Sequence, residues 1–198
     1  MPRTEEANQR IREEQRAKIL DAASKVFARK GRAMTMSDVA AEASISYGLV
    51  YRYFISKEAI LNTLAEESLR SSAEGLQRFR EKSGTPGERL DYLITRLVEN
   101  RRDHPELSQL LYQVLSDEVA PQHLREQASR FGQAFQDLLW QMIVEGQASG
   151  DVQPADPDQL VTAISAMLDG LTRLTVTNPE RFHRHFPDAE IILGMLKR

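Results

Sequence analysis

Apolar residues recur along this chain at three- and four-residue steps. No alternation of the kind that builds a half-buried strand appears, so the pattern predicts an all-α protein. Ile19, Leu20, Ala23, Val26 and Phe27 line one face of a first helix. Arg29 and Lys30 suit its last turn, and Gly31 ends it where a left-handed residue is cheap. Thr35 and Asp38 match a capping box, with Asp in place of the usual Glu, and Val39, Ala40 and Ala43 supply the inner face of a second helix. Ser46 is placed to cap a third helix that Val50 and Phe54, four apart, anchor inward. Ser56 caps a longer fourth helix bearing Ile60, Leu61, Leu64, Leu69 and Leu76, until Ser83-Gly-Thr-Pro-Gly87 breaks it.

Further helical runs are predicted over 88–102, 106–117, 121–149 and 157–177, separated by His104-Pro105, Ala120-Pro121 and the segment 150–157. A last one is expected near 187–197, and no repeat is evident. The three small helices between 15 and 54 are too slight to fold alone, so the fourth must tie them to the rest. The expected organisation is an N-terminal three-helix head over 1–57, joined by a connecting helix to a larger helical bundle within 58–198.

Composition narrows the class. With 198 residues, 41% hydrophobic and 28% charged, the chain is an ordinary globular protein long enough to bury a core. The lack of cysteine excludes disulfides and thiol chemistry and favours an intracellular, cytoplasmic setting. The charged N-terminus is unlike a secretory signal, and no apolar run approaches the roughly 20 residues of a membrane span, so no membrane partner is expected. A net charge of −3 argues against a general nucleic-acid coat. Its distribution is uneven: residues 1–57 carry 11 Lys/Arg against 7 Asp/Glu, and residues 58–198 carry 15 against 22. One end is therefore suited to a polyanion.

The stretch 35–58 gives that end a mechanism. Two short helices joined by a tight turn form the layout of a helix-turn-helix DNA reader. On the second helix Val50 and Phe54 share the inner side, while Gly48, Leu49 and Arg52 point away and Tyr47, Tyr51 and Tyr53 flank them. Gly48 permits close backbone approach. The hydroxyls of Tyr51 and Tyr53 can donate to phosphate oxygens, Lys57 adds charge, and Arg52 can bind a guanine edge.

The run Ser46-Tyr-Gly-Leu-Val-Tyr-Arg-Tyr-Phe-Ile-Ser-Lys-Glu58, preceded by Asp38-Val-Ala-Ala-Glu-Ala, resembles the N-terminal signature of the tetracycline-repressor (TetR) family. The resemblance covers about residues 15–62, and the later helices agree with the family in number and order. It implies a homodimeric, ligand-responsive repressor with two heads on a double-stranded DNA operator. Family phosphate contacts fall on Thr35, Tyr51, Tyr53 and Lys57, and base-facing positions on Tyr47, Gly48, Leu49 and Arg52, with Ser46 at the helix start. The chain departs from the pattern at Ser44, where the turn usually has Gly and must become left-handed or be reshaped. It departs also at Tyr47, a frequent Lys or Arg, and at Leu49, a frequent small polar residue. These two bulky groups favour apolar contact with thymine methyls.

In the body, Leu160, Val161, Ile164, Met167, Leu168, Leu171 and Leu174 form an apolar stripe interleaved with Ala163, Ala166 and Gly170. Ile191, Ile192, Met195 and Leu196 form a second. Paired with their symmetry mates, these helices would make a four-helix interface using Ile164, Met167, Leu168, Leu171, Ile191, Ile192 and Met195; alternatively the stripes pack on the chain's own core. A small-molecule effector is expected among Tyr92, Arg96, Tyr112, Gln113, Phe131, Phe135, Trp140 and Met142, which lie on the helices that enclose ligand in the family. No spacing identifies that ligand. His183 and His185, two apart, fall on different sides of a helix and do not form a metal pair. With no phosphate loop, nucleophile elbow or cysteine, neither catalysis nor a cofactor or metal is expected. A helical interaction module whose head has lost DNA binding stays open as the alternative, on the strength of Ser44 and the low local charge.

Overall fold

The computed structural model describes residues 5–116 and 120–197. The ends of the expected 1–57 and 58–198 regions, and residue 117 of the expected 106–117 helix, lie outside them. Ten α-helices and no strand occur among the described residues. They divide into two compact units, with the division between Glu66 and Glu67 inside one long helix.

The first unit holds α1 (Glu5–Lys30), α2 (Met36–Glu42), α3 (Tyr47–Tyr53) and the start of α4 (Lys57–Arg80). The inward faces read from sequence are buried as expected: Ile19, Ala23, Val26, Phe27, Val39, Val50, Phe54 and Ile60 are each at most 5% exposed. Full burial of one such side chain contributes about 1.5–3 kcal/mol, so this small unit rests on few residues. Gly31, at φ 54°, ends α1 and opens a short 3-10 turn over Gly31–Ala33. α1 begins ten residues before the periodic stripe shows it, at Glu5 rather than 15. That extension has no buried face. Pairs four apart, Gln9 with Glu13 at 2.7 Å and Arg10 with Glu14 at 3.3 Å, support it instead.

The second unit contains the rest of α4, α5 (Pro86–Asp103), α6 (Pro105–Leu115), α7 (Gln122–Ser149), α8 (Pro157–Thr177), α9 (Pro179–His185) and α10 (Ala189–Leu193). One core joins α4, α5, α7, α8 and α10 through Leu93, Ile94, Leu139, Ile143, Ile164, Leu168 and Ile192, among others. Thr85 and Glu88 form a full capping box with Pro86 in the first turn, which fixes the start of α5. Asp151, in the α7–α8 connection, accepts from the Gly87 N–H at 3.2 Å. Val152 follows and packs onto α7, where a Cβ at Gly146 would lie 2.5 Å from it.

Two elements differ from the periodic reading. α9 is an additional helix, capped by Asn178 and held by the single buried Phe182 amid charged neighbours, too little for a stripe. The last helix shrinks from 187–197 to five residues followed by turns. α8 is, among the described residues, long and apolar enough to cross a membrane by length and composition alone. That corrects the expectation of no such stretch. Leu, Val, Ile, Met and Ala supply its average while Thr, Ser, Gly, Asp and Arg interrupt any unbroken apolar run, and Ile164 and Leu168 pack into the core.

Candidate nucleic-acid interface

The helix-turn-helix is built from local chemistry. At the start of α2, Thr35 Oγ1 accepts from the Asp38 N–H at 3.2 Å and donates to Asp38 Oδ2 at 2.9 Å. The same carboxylate oxygen accepts from the Thr35 N–H at 3.0 Å, completing the capping box. Lys30 at the end of α1 reaches the other oxygen at 2.7 Å. Its ammonium, followed by the two Thr35 donors, holds the Asp38 carboxyl down at about 2. Arg29 pairs with Glu42 at the other end of α2. Two cations of α1 are thereby committed to fixing α2.

The turn resolves the question posed by Ser44. It takes the left-handed conformation, φ 52°, in the position usually held by glycine. The Ser44 N–H donates to the Ala41 carbonyl at 3.1 Å and the Ile45 N–H to the Ala40 carbonyl at 3.0 Å, the bond pair of a Schellman motif. The turn is not reshaped; the residue is strained to fit it, at roughly 1–2 kcal/mol for a non-glycine side chain.

Ser46 then caps α3, its Oγ accepting from the Leu49 N–H at 3.2 Å. Val50 and Phe54 point inward, and the Arg16 guanidinium of α1 lies 5.4 Å from the Phe54 ring centre. The outward face carries Tyr47, 52% exposed, Tyr51, 41% exposed, Gly48 and Arg52. Arg52 makes no ion pair with any described residue. A Cβ built on Gly48 meets nothing within 4 Å, so the fold itself does not require glycine there. Tyr53 and Leu49 are half-buried, so Leu49 offers only part of its side chain to a reading face. Lys57 donates to the Arg32 carbonyl at 2.9 Å and ties the start of α4 to the 3-10 turn.

Three features escaped the sequence. The Tyr47 and Tyr51 rings lie 4.8 Å apart, and their hydroxyls share a hydrogen bond of 3.1 Å. This bond, followed by desolvation, raises the Tyr51 phenol above its ordinary value and keeps it neutral. Their four-residue spacing on a helix could have revealed the pair. Ile55, 84% exposed between α3 and α4, and the Lys57–Arg32 tie had no such signal.

The candidate body residues are dispersed. Tyr92 is exposed, 5.6 Å from the Phe79 ring and 4.1 Å from the Lys82 ammonium, while Arg96 pairs with Glu99 on the surface. Tyr112 is exposed, and Trp140 borders a shallow groove of about 340 Å³ with Asp158 and Val161. Phe131 and Phe135 lean on the core that encloses Met142. Gln113 is half-buried, with a buried carbonyl oxygen that has no partner. Of the interface candidates, Ile164, Leu168, Leu171 and Ile192 belong to the core of their own unit and are not free to meet a second chain. The wide stripe on α8 exists because α8 is a central core helix. Met167 packs against that core, whereas Ile191 and Met195 are 61% and 39% exposed. No cluster of three or more metal-binding side chains occurs among the described residues.

Residues 19–64 match the description "Bacterial regulatory proteins, tetR family", and residues 86–187 match "BetI-type transcriptional repressor, C-terminal". The HTH-type transcriptional regulator YfiR of Bacillus subtilis is 31% identical over 152 residues, 74% of this chain and 72% of YfiR. In fold the chain is similar to a TetR transcription regulator from Haloarcula marismortui, with a TM-score of 0.71 at 17% identity, covering 94% of this chain and 100% of the other. It is similar also to FadR from Bacillus subtilis in complex with stearoyl-CoA, with a TM-score of 0.63 at 22% identity over 90% and 96% of the two chains.

Proposed function

The chain belongs to the TetR family of DNA-binding transcriptional regulators, and on that premise we propose that it is a homodimeric repressor of a palindromic operator, released by a small molecule. The observation that carries the proposal is the outward face of α3. Tyr47, Gly48, Tyr51 and Arg52 stand exposed on a helix whose other side is buried and whose preceding turn is pinned by two backbone bonds. Such a face fits the major groove, with Arg52 directed at a guanine edge and Tyr51 at a phosphate. Tyr53 and Lys57 serve the backbone beside it. Thr35 and Ser46 act chiefly through their caps, since both hydroxyls are engaged in them. Tyr47, with the accessible part of Leu49, favours thymines in the operator. The left-handed Ser44 preserves the turn, which supports an intact reading head over a degenerate one.

For the dimer, the exposed side of α8, with Ala163 and Ala166, together with Ile191 and Met195 offers small and apolar groups for close helix approach. Twofold pairing would present half-sites about 34–36 Å apart or at multiples of that spacing. FadR, of like fold, was solved with stearoyl-CoA, which supports a ligand-responsive body. An inducer must bind the DNA-incompetent state more tightly than the competent one.

Selection from a random duplex pool, followed by footprinting, tests the reading. The expected product is an inverted repeat. Arg52→Ala should relax one position in each half-site, while Lys57→Ala and Tyr53→Phe should weaken all sites alike. An unrepeated single site would contradict the dimer, and a Leu49→Ala variant indifferent to thymine substitution would contradict the apolar readout.

A further inference from the structure

We propose that Arg101 receives the carboxylate of a small, largely apolar anion where α5, α6 and α8 meet; the inference deepens the effector reading above and rests on it. Arg101 lies in the last turn of α5 and is half-buried. Its Nε donates to Thr172 Oγ1 of α8 at 3.3 Å and its Nη1 to the Leu97 carbonyl at 3.2 Å. Both acceptors are neutral. Among the described residues no carboxylate forms an ion pair with it; Asp169 of α8 is exposed and acts only through space. Burial pushes the guanidinium below its ordinary value, with Asp169 opposing weakly. The other half-enclosed arginine of this unit is treated differently: Arg89 meets Glu145 at 2.9 Å. A half-buried cation without a counter-ion gives up part of its hydration uncompensated, and a bare tether between α5 and α8 would need only a neutral donor.

The two helices that pack beside α5 also carry unsatisfied polar atoms. Gln113 on α6 has a buried carbonyl oxygen without a partner, and Ser165 on α8 a buried hydroxyl without one. Gln109 of α6 and the Thr175 hydroxyl are already used, on the carbonyls of Thr175 and Thr172 at 3.0 and 2.7 Å. Beside Arg101 and Thr172 in sequence stand the buried apolar residues Val98, Leu168 and Leu171. A planar guanidinium fork with donors to spare matches a carboxylate in bidentate fashion, and apolar neighbours suit a hydrocarbon or aromatic body.

The test uses the full chain with octanoate and benzoate as probes, and octanol and octylammonium as neutral and cationic controls. Calorimetric titration should show saturable binding of at least one carboxylate, about tenfold or more tighter than either control. Arg101→Met should lose that preference while the ligand-free melting temperature stays level or rises, because an uncompensated charge has gone. Arg101→Lys, which keeps the charge, should bind the carboxylate several-fold more weakly. Should Arg101→Met not fold, the carboxylate-over-alcohol preference of the unaltered chain and its reduction in Arg101→Lys decide. Neither carboxylate binding, equal binding of octanoate and octanol, or undiminished binding by the variants overturns the proposal. DNA binding measured alongside separates the two readings. A carboxylate that binds through Arg101 without weakening the DNA complex upholds the site and contradicts its effector role. A different molecule that releases DNA equally from Arg101→Met, where no carboxylate binds, upholds the effector and overturns the site.

Discussion

Replacing Gly48 with alanine separates what the fold needs from what DNA needs. Gly48 is the second residue of α3, and a Cβ placed on it meets no atom within 4 Å. Alanine favours a helix over glycine by up to about 1 kcal/mol in an interior, and by about half that in a first turn. For a chain of this size the variant should melt about 1–2 °C higher. On DNA the sign reverses. If the groove closes on α3 at this position, a methyl inserted into a packed contact costs about 1–3 kcal/mol, a loss of roughly 5- to 150-fold in affinity. Differential scanning calorimetry and fluorescence anisotropy on one operator duplex read the two effects separately. A variant that binds DNA as tightly as the parent would refute the close approach. A variant that melts lower would refute the open space above Gly48.

Ser44→Gly relieves the left-handed strain and should stabilise the protein by about 1 kcal/mol in urea unfolding, with operator preference unchanged. The Asp38 carboxyl is held at about 2 against an ordinary 3.8, so its contribution is complete above about 4 and is lost as pH falls toward 2; an acid titration followed by circular dichroism should show this loss in the parent and not in Asp38→Asn. Leu168→Ala, at a core position 1% exposed, should cost about 2–5 kcal/mol. Ile191→Ser should change folding stability by less than about 0.5 kcal/mol yet weaken dimerisation in sedimentation equilibrium. Tyr47→Lys should steepen the salt dependence of DNA binding by about one counter-ion.

The head was legible in the sequence because its structure is dictated locally. Thr35, Asp38 and Ser46 announce their caps by spacing, and Val50 and Phe54 their direction by a four-residue step. Ser44 could be recognised as a departure, but only the backbone shows that it bends to the turn. The body was legible as helices and not as surfaces. An apolar stripe such as that of α8 looks the same whether it meets a partner or its own core, and here Ile164, Leu168 and Leu171 meet the core. The charged start of α1 and the single-anchor α9 carry no stripe and were invisible to periodicity. Arg101 has no local signature, since its isolation depends on which residues of α8 come to face it.

A salt titration of binding decides whether this head reads duplex DNA through α3. A labelled duplex from the chain's own upstream region is followed by anisotropy between low and physiological salt, with Arg52→Ala and an unrelated duplex as references. A specific complex is expected whose logarithmic affinity falls linearly and steeply with the logarithm of salt concentration, with the preference over unrelated DNA largely lost in Arg52→Ala. Binding that is indifferent to sequence and unchanged in Arg52→Ala, or no binding to any duplex at low salt, would contradict it.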